Sequence, residues 1–538
     1  MASAQETKRP NVLLILADDL GFSDLGSYGG EVRTPNLDEL ARDGVRYTQF
    51  YTSARCCPSR AALLTGLHPH RAGIGSFTTH EPDRDRSDAY TGHLLDTTAT
   101  LPEMLKSAGY STWMVGKWHL GTPGPIERGI ENYYGFKNFE AHSEGQWNPD
   151  LYVRLPEGTK PELSIPRENF YATDAFNEYA ITFLRKARET PDKPWFLYLA
   201  HSSPHFPLHA PKEDIDANME TYRRGWDALR AERFERMKAI GLVDKDAELP
   251  PRSMVPVDRD DIANGYSGKP NPAWDELPAD RREDLARRMS TYAAMVEHVD
   301  RGVGRIVGEL KASGEFENTI ILFMSDNGAC YEWGPFGFDR NSRDGFTKLH
   351  TGDELANMGQ RGTYHSGGSG WAMLSNTPLN MYKHFTHEGG LSSPLIVHYP
   401  KGIEKPDRWV NDPTALMDIV PTICELTGAT YPNERDGHPV KPMDGVSLAP
   451  TLKSEALAER SIPFDHQGAW ALRKGDWKIV RGKRMGKPAE WELYNIATDR
   501  MEQHDVAAEH PEKVKEMGDE WLKWAKDVGI DLTITEGS

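Results

Sequence analysis

The 538-residue sequence is poor in cysteine, with four, and has no long uninterrupted apolar stretch. The four are Cys56, Cys57, Cys330 and Cys424. The first two are adjacent, which is poor geometry for a mutual disulfide, and the others stand alone, so neither a disulfide framework nor a zinc spacing is present. Cysteine here is either buried filler or chemistry. Without a long apolar run nothing reads as a membrane span, and the polar start from Met1 to Pro10 lacks the apolar centre of a signal peptide. The chain reads as soluble, with its compartment open between the cytoplasm and, if a leader has been removed, the periplasm or exterior. An excess of positive charge is also missing. The 63 Lys and Arg stand against 81 Asp and Glu, a net charge of −18 that repels polyanions over most of the surface. Nucleic acid and membrane are therefore not expected as partners, and an anionic substrate must meet a local positive pocket.

What the chain does have is apolar mass, with 14 Trp, 20 Tyr and 18 Phe to bury, enough for one large domain and a smaller one. Its apolar runs end in reactive groups. Asn11 to Ala17 reads as a buried strand that runs into Asp18 and Asp19, and Ser111 to Gly116 ends in Lys117 and His119. Trp195 to Ala200, after a helix from Ala172 to Arg188, ends in a turn holding His201 and His205; Thr319 to Met324, after a helix from Arg282 to Ala312, ends in Ser325, Asp326 and Asn327. Alternating strands and helices predict a large, mostly parallel α/β sheet flanked by helices, and in such sheets ligands sit beyond the carboxyl ends of strands. Four strands delivering acids, an amide, a lysine and histidines to one edge are hard to dismiss as turn residues. Leu395 to Tyr399 adds a strand, Thr414 to Gly428 a helix stopped by glycine, and the charged stretch from Glu213 to Arg282 reads as helical insertions and surface loops. Beyond Ser454 four short strands (Ile462 to Asp465, Ala469 to Arg473, Trp477 to Arg481, Trp491 to Tyr494) precede a helix near Pro511 to Asp527, predicting a small antiparallel sheet with one covering helix. The expected division is a catalytic α/β domain over residues 8–453 and a small α+β domain over 454–538.

The decisive segment is Cys56-Cys57-Pro58-Ser59-Arg60-Ala61-Ala62-Leu63-Leu64-Thr65-Gly66. Proline just inside a helix start and a glycine stop place Cys56 at a helix N-terminus, where backbone amides and the dipole favour an anion. This stretch resembles the signature of type I sulfatases, in which a cysteine followed two residues later by proline and four later by arginine is converted to formylglycine. The likeness extends to Asn11–Gly26, Gly116–Gly121, Ser203–Pro207, Ser325–Gly328 and Tyr382–Gly390, and it implies the alkaline-phosphatase-like fold in a form similar to bacterial arylsulfatases.

The resemblance implies a task for each matched residue. Asp18, Asp19, Asp326 and Asn327, with the oxidised Cys56, would bind one metal ion; their hard oxygens suit calcium, with magnesium as the alternative. Hydrated formylglycine carries two hydroxyls on one carbon, one to attack sulfur and one to expel sulfate afterwards. Lys117 and Lys383 would hold sulfate oxygens, His205 assisted by Lys383 would protonate the leaving oxygen, His119 would be the base of the release step, and Arg60 would neutralise the carboxylates. Expected partners are a sulfate-ester substrate, either an aryl sulfate or a sulfated sugar, and a formylglycine-generating enzyme during maturation. Phosphate or phosphonate ester hydrolysis on the same fold, and an inactive sulfated-glycan binding protein, are the competing readings. Among the remaining residues, His387 is the best candidate for support of the site over His201, His209 and His384, and Cys57 receives no chemistry. Gly359 to Asn376 reads as a long loop at the pocket mouth. His68, His70 and the His80 to Tyr90 stretch either join that mouth or are ordinary surface.

Overall fold

The structure, a computed structural model, describes residues 8–79, 87–139, 145–259, 262–340, 346–482, 489–530 and 532; residues 80–86 of the His80 to Tyr90 stretch thus lie outside the described residues. Strand β1, Asn11–Ala17, is buried along its whole length, as a strand covered on both faces must be. The alternation of the pleat divides it between two cores: Leu13, Ile15 and Ala17 face one, and Val12, Leu14 and Leu16 the other. Around it run Val45–Tyr51 (β2), Ser111–Gly116 (β3), Asn132–Phe136 (β4), Tyr152–Leu155 (β5), Trp195–Ala200 (β6), Thr319–Ser325 (β7), Ser392–His398 (β8) and Arg408–Val410 (β9). Their order is β9-β2-β8-β7-β1-β6-β3-β4-β5, with Thr414–Ala415 paired to β2 off this path. Strands β8 and β5 run against the rest, so the sheet is mostly but not wholly parallel. The long helix Ala279–Ser313 and the helix Ala172–Ala187 pack on the first face, and Cys56–Thr65 on the second.

Register matters most for function. Ala17 pairs with Ser325, Leu16 with Ala200, and Ala200 with Gly116, so β1, β7, β6 and β3 end at one level. Because β8 runs the other way, its beginning reaches the same edge, and Ser393 Oγ donates to Ser325 O at 2.9 Å.

The C-terminal strands Ser461–His466 (β10), Ala469–Lys474 (β11), Trp477–Arg481 (β12) and Glu492–Asn495 (β13) form the expected antiparallel sheet under the helix Pro511–Asp527. Trp521 of that helix stacks on Trp470 at 4.2 Å. The opposite face of the small sheet contributes Ile462, Phe464, Ala471 and Val480 to a core shared with the large sheet. Other expectations need correction. Thr414 to Gly428 is helical from Leu416, through a 3-10 turn over Leu416–Asp418 and an α-helix over Ile419–Thr427, because Thr414–Ala415 pairs with β2 first; Gly428 does end the helix, at φ 72°. Strands β2, β4, β5 and β9 were not anticipated, and the charged insertion holds helices Lys212–Tyr222 and Trp226–Ala239 plus a hairpin of Met254–Arg259 with Ile262–Pro270. Among the described residues no helix is long and apolar enough to cross a membrane.

Candidate active site

Each strand end at this edge delivers its polar groups into one buried cluster. Asp18 and Asp19 follow β1, Asp326 and Asn327 follow β7, Lys117 and His119 follow β3, His205 follows β6, and Lys383 lies on the segment leading into β8. Cys56 begins the helix Cys56–Thr65, every residue of which is buried and which ends on Gly66 at φ 71°. The close approach of the strand ends needs glycine at 116, where a Cβ would fall 1.9 Å from Ala200 O. Asp19, Ala54, His119 and His384 take left-handed backbone, φ 67°, 57°, 54° and 75°, an unfavourable conformation for residues with a side chain and one that gathers at functional sites.

The sequence-predicted residues meet as pairs of opposite charge. Lys117 Nζ lies 2.5 Å from Asp18 Oδ2, and Lys383 Nζ 3.0 Å from both oxygens of Asp19. Arg60 donates through Nε and Nη2 to Asp326 Oδ2 at 3.0 and 2.8 Å, with Asp18 Oδ2 3.7 Å from Nη2. Asn327 Nδ2 donates to Asp19 Oδ1 at 2.7 Å. His205 Nδ1 bonds to Phe206 O at 2.6 Å, and its Nε2 lies 3.5 Å from Asp19 Oδ2. Burial alone would push Asp18 up, but Lys117, His205 and Arg60 hold it below the usual carboxylate range. Burial and the neighbouring Asp18 push Asp326 up instead. For His119, burial lowers the pKa to about 4, so at neutral pH the ring is uncharged and able to accept a proton. The Cys56 thiol is pulled well below its usual range by a hydrogen bond from Cys57, against burial, with Lys117 and His119 adding to the effect.

Two buried oxygens of this cluster, Asp18 Oδ1 and Asn327 Oδ1, have no hydrogen-bond partner among the described residues, a cost that an interior does not normally carry without a ligand. Asp18, Asp19 and His205 offer ligand atoms within 4.8 Å of one another. Orphaned hard oxygens beside clustered carboxylates fit an oxygen-preferring cation such as calcium. Cys56, Cys57 and His119 form a second group within the same distance, which brings Cys57 closer to the chemistry than expected.

Sequence reasoning missed two neighbours, Asn376 and Glu332. Asn376 clamps the site loops: its Oδ1 accepts from Phe22 N (3.4 Å) and Ala329 N (3.0 Å), and its Nδ2 donates to Met381 O (3.0 Å) and Gly389 O (2.7 Å). Glu332 lies 3.6 Å from Lys383 Nζ and accepts from His384 Nε2 at 2.7 Å. It is therefore His384 that stands behind Lys383, whereas His387 turns to Glu492 at 3.2 Å. His201 is buried beside Phe176 with neither ring nitrogen hydrogen-bonded among the described residues, and His209 is held by Gln146 N and Thr363 O. Gly359 to Asn376 is not one long loop. It contains the helix Ser369–Ser375, whose Trp371 packs on Trp226 and Trp274 in the core. His68 and His70 line a cavity with Asp465 and Trp524 at the C-terminal sheet rather than the mouth. The exposed ring beside the cluster is Phe77, edge-on to His119 at 5.3 Å and 41% exposed.

Comparison with known proteins points to one family. The family model for sulfatases matches residues 10–429, and that for the C-terminal part of N-sulphoglucosamine sulphohydrolase matches residues 380–524. An uncharacterized sulfatase of Schizosaccharomyces pombe is 34% identical over 553 residues, covering 98% of this chain and 95% of its own. The arylsulfatase of Klebsiella aerogenes is 32% identical over 475 residues, 86% of this chain and 96% of its own. The crystal structure of Ps i-CgsB in complex with k-i-k-neocarrahexaose superposes with a TM-score of 0.64 at 27% identity, over 96% of this chain and 93% of that one.

Proposed function

Because the chain belongs to the sulfatase family and is thus an enzyme for sulfate-ester hydrolysis, we propose that it works through a formylglycine made from Cys56 by a formylglycine-generating enzyme, beside one calcium ion held by Asp18, Asp19, Asp326 and Asn327. The observation that carries the proposal is the position of Cys56: a buried helix N-terminus within 4.8 Å of the His119 ring, against strand ends that hold three carboxylates and two lysines. The thiol sulfur in the structure stands where the oxygens of the oxidised side chain would be. The cation supplies charge stabilisation for those oxygens and for the sulfate. The hydrated aldehyde supplies one hydroxyl to attack sulfur and a second through which sulfate is expelled.

The chain's own residues do the rest. Arg60, fully buried, fixes Asp326 and Asp18 as ligands. Lys117 and Lys383, which the carboxylates hold as ammonium groups, donate hydrogen bonds to the sulfate oxygens as charge shifts onto them. His205, backed by the Phe206 carbonyl through Nδ1, gives a proton to the leaving oxygen from Nε2. His119, uncharged above about pH 4, takes a proton from the residue-56 side chain when sulfate departs. On the alcohol side stand two rings, Phe77 beside His119 and Phe206 at 4.2 Å from His205. An aryl group or the apolar face of a sugar can stack on them.

The test is sulfate and phosphate release, read by ion chromatography, from aryl sulfates, sulfated sugars and a phosphate ester, using protein co-expressed with a formylglycine-generating enzyme. Sulfate release is expected, lost in Cys56→Ala with unchanged circular dichroism. Phosphate release alone, or sulfate release retained by Cys56→Ala, overturns the proposal.

A further inference from the structure

We infer that Glu332 is a positioning residue: oriented by His384 and, through it, by His466 of the C-terminal sheet, it anchors Lys383 once a cation occupies the carboxylates. The inference rests on the reading of Lys383 as a sulfate-holding group.

Lys383 Nζ has two carboxylates in reach among the described residues, Asp19 at 3.0 Å and Glu332 Oε1 at 3.6 Å. A cation held by Asp19 would compete for its oxygens and repel the ammonium, which would leave Glu332 as the counter-charge in reach of Lys383. The Glu332 side chain is 7% exposed, and burial is outweighed by Lys383 and His384, which keep it ionised.

The hydrogen bonds behind Glu332 run in one direction. A carboxylate only accepts, so His384 Nε2 donates at 2.7 Å. The Nδ1 of an uncharged His384 is then an acceptor, and His466 Nε2, 3.3 Å away, is its donor. His466 Nδ1 is buried with no hydrogen-bond partner among the described residues, and the chain ends there. The far end is fixed to the main body: Asp465 meets His70 at 3.1 Å and Gln467 Nε2 donates to Ser76 Oγ at 3.3 Å. His384 itself is held by its N–H to Ala54 O at 2.8 Å and by stacking on Trp333 at an interplanar angle of 15°. The small sheet thus reaches the site through His466.

The test compares converted, calcium-loaded wild type with Glu332→Gln by calorimetric titration of inorganic sulfate and of calcium. Removing a negative charge near an anion site should by charge alone tighten sulfate. The anchor reading expects the opposite: sulfate weakened about tenfold, the worth of one charge-assisted hydrogen bond, with calcium affinity retained and kcat falling most for aryl sulfates with poor leaving groups. Should Glu332→Gln fail to fold, His466→Leu is expected to weaken sulfate and His466→Gln, whose amide still donates, to restore it. Unchanged or tighter sulfate in Glu332→Gln, or equal behaviour of the two His466 variants, overturns the inference. Wild type that releases sulfate from esters while the variants bind it normally refutes only the anchor; wild type that releases none refutes the sulfatase reading beneath it.

Discussion

A buried histidine outside the reaction gives a sharp account of acid sensitivity. His201 directly follows β6, its N–H is bonded to Leu16 O at 2.9 Å, its side chain is fully buried, and both ring nitrogens lack hydrogen-bond partners among the described residues. Burial pushes its pKa from 6.5 down to about 3. A histidine with a depressed folded-state pKa stabilises the fold fully above the unfolded value and loses that contribution as pH falls toward the folded one. At about 1.4 kcal/mol per pH unit, roughly 5 kcal/mol is at stake across the whole interval, and about 2 kcal/mol of it is gone by pH 5. Asp18 and Glu332, held low by their cationic neighbours, lose their stabilisation only in more acid solution. His119, His209 and His384 are lowered to about 4 and add to the overall slope, so the comparison that isolates His201 is with His201→Leu, close in volume and unable to bind a proton. Urea unfolding at fixed calcium should show wild type losing about 2 kcal/mol more than the variant between pH 7 and pH 5. Parallel pH dependences in the two proteins would refute the reasoning.

Asn376→Asp keeps two acceptor contacts but strands the carbonyls of Met381 and Gly389; a loss of about 2–6 kcal/mol is expected in urea titrations, together with reduced turnover from displaced site loops. Chelation should abolish sulfate release and lower the melting temperature, and calcium should restore both, with about 2.7 kcal/mol of added stability at a hundredfold excess over its Kd; a melting temperature indifferent to calcium counts against the cation site. The acid limb of kcat should fall as His119 gains a proton near pH 4, and an activity flat to pH 3 counts against His119 as the base.

How much of this was legible in the sequence follows from the kind of signal each residue leaves. Asp18, Lys117, His205 and Asp326 announce themselves because each ends or closely follows an apolar run, and parallel strands in register bring such ends to one edge. The pairing of Ala17 with Ser325 and Ala200 with Gly116 is what converts that pattern into a site. Cys56 and Arg60 were legible through their resemblance to the sulfatase signature, and one helical turn sets the arginine on the carboxylates of the neighbouring strands. Strands β4 and β5 left no such mark. They are short, aromatic and at the margin of the sheet, where pairing and burial, not periodicity, decide their form. Trp371 misled for the related reason that glycine and serine around it read as loop, while Trp226 and Trp274 from distant segments supply the packing that makes it helical core. Glu332, His384 and His466 were hidden most thoroughly, since no spacing links an acid after β7, a histidine before β8 and another at the end of β10. Their chain of donors and acceptors exists only because the small sheet folds back onto the large one, so the residues around Lys383 are set by tertiary packing in a way that the signature around Cys56 is not.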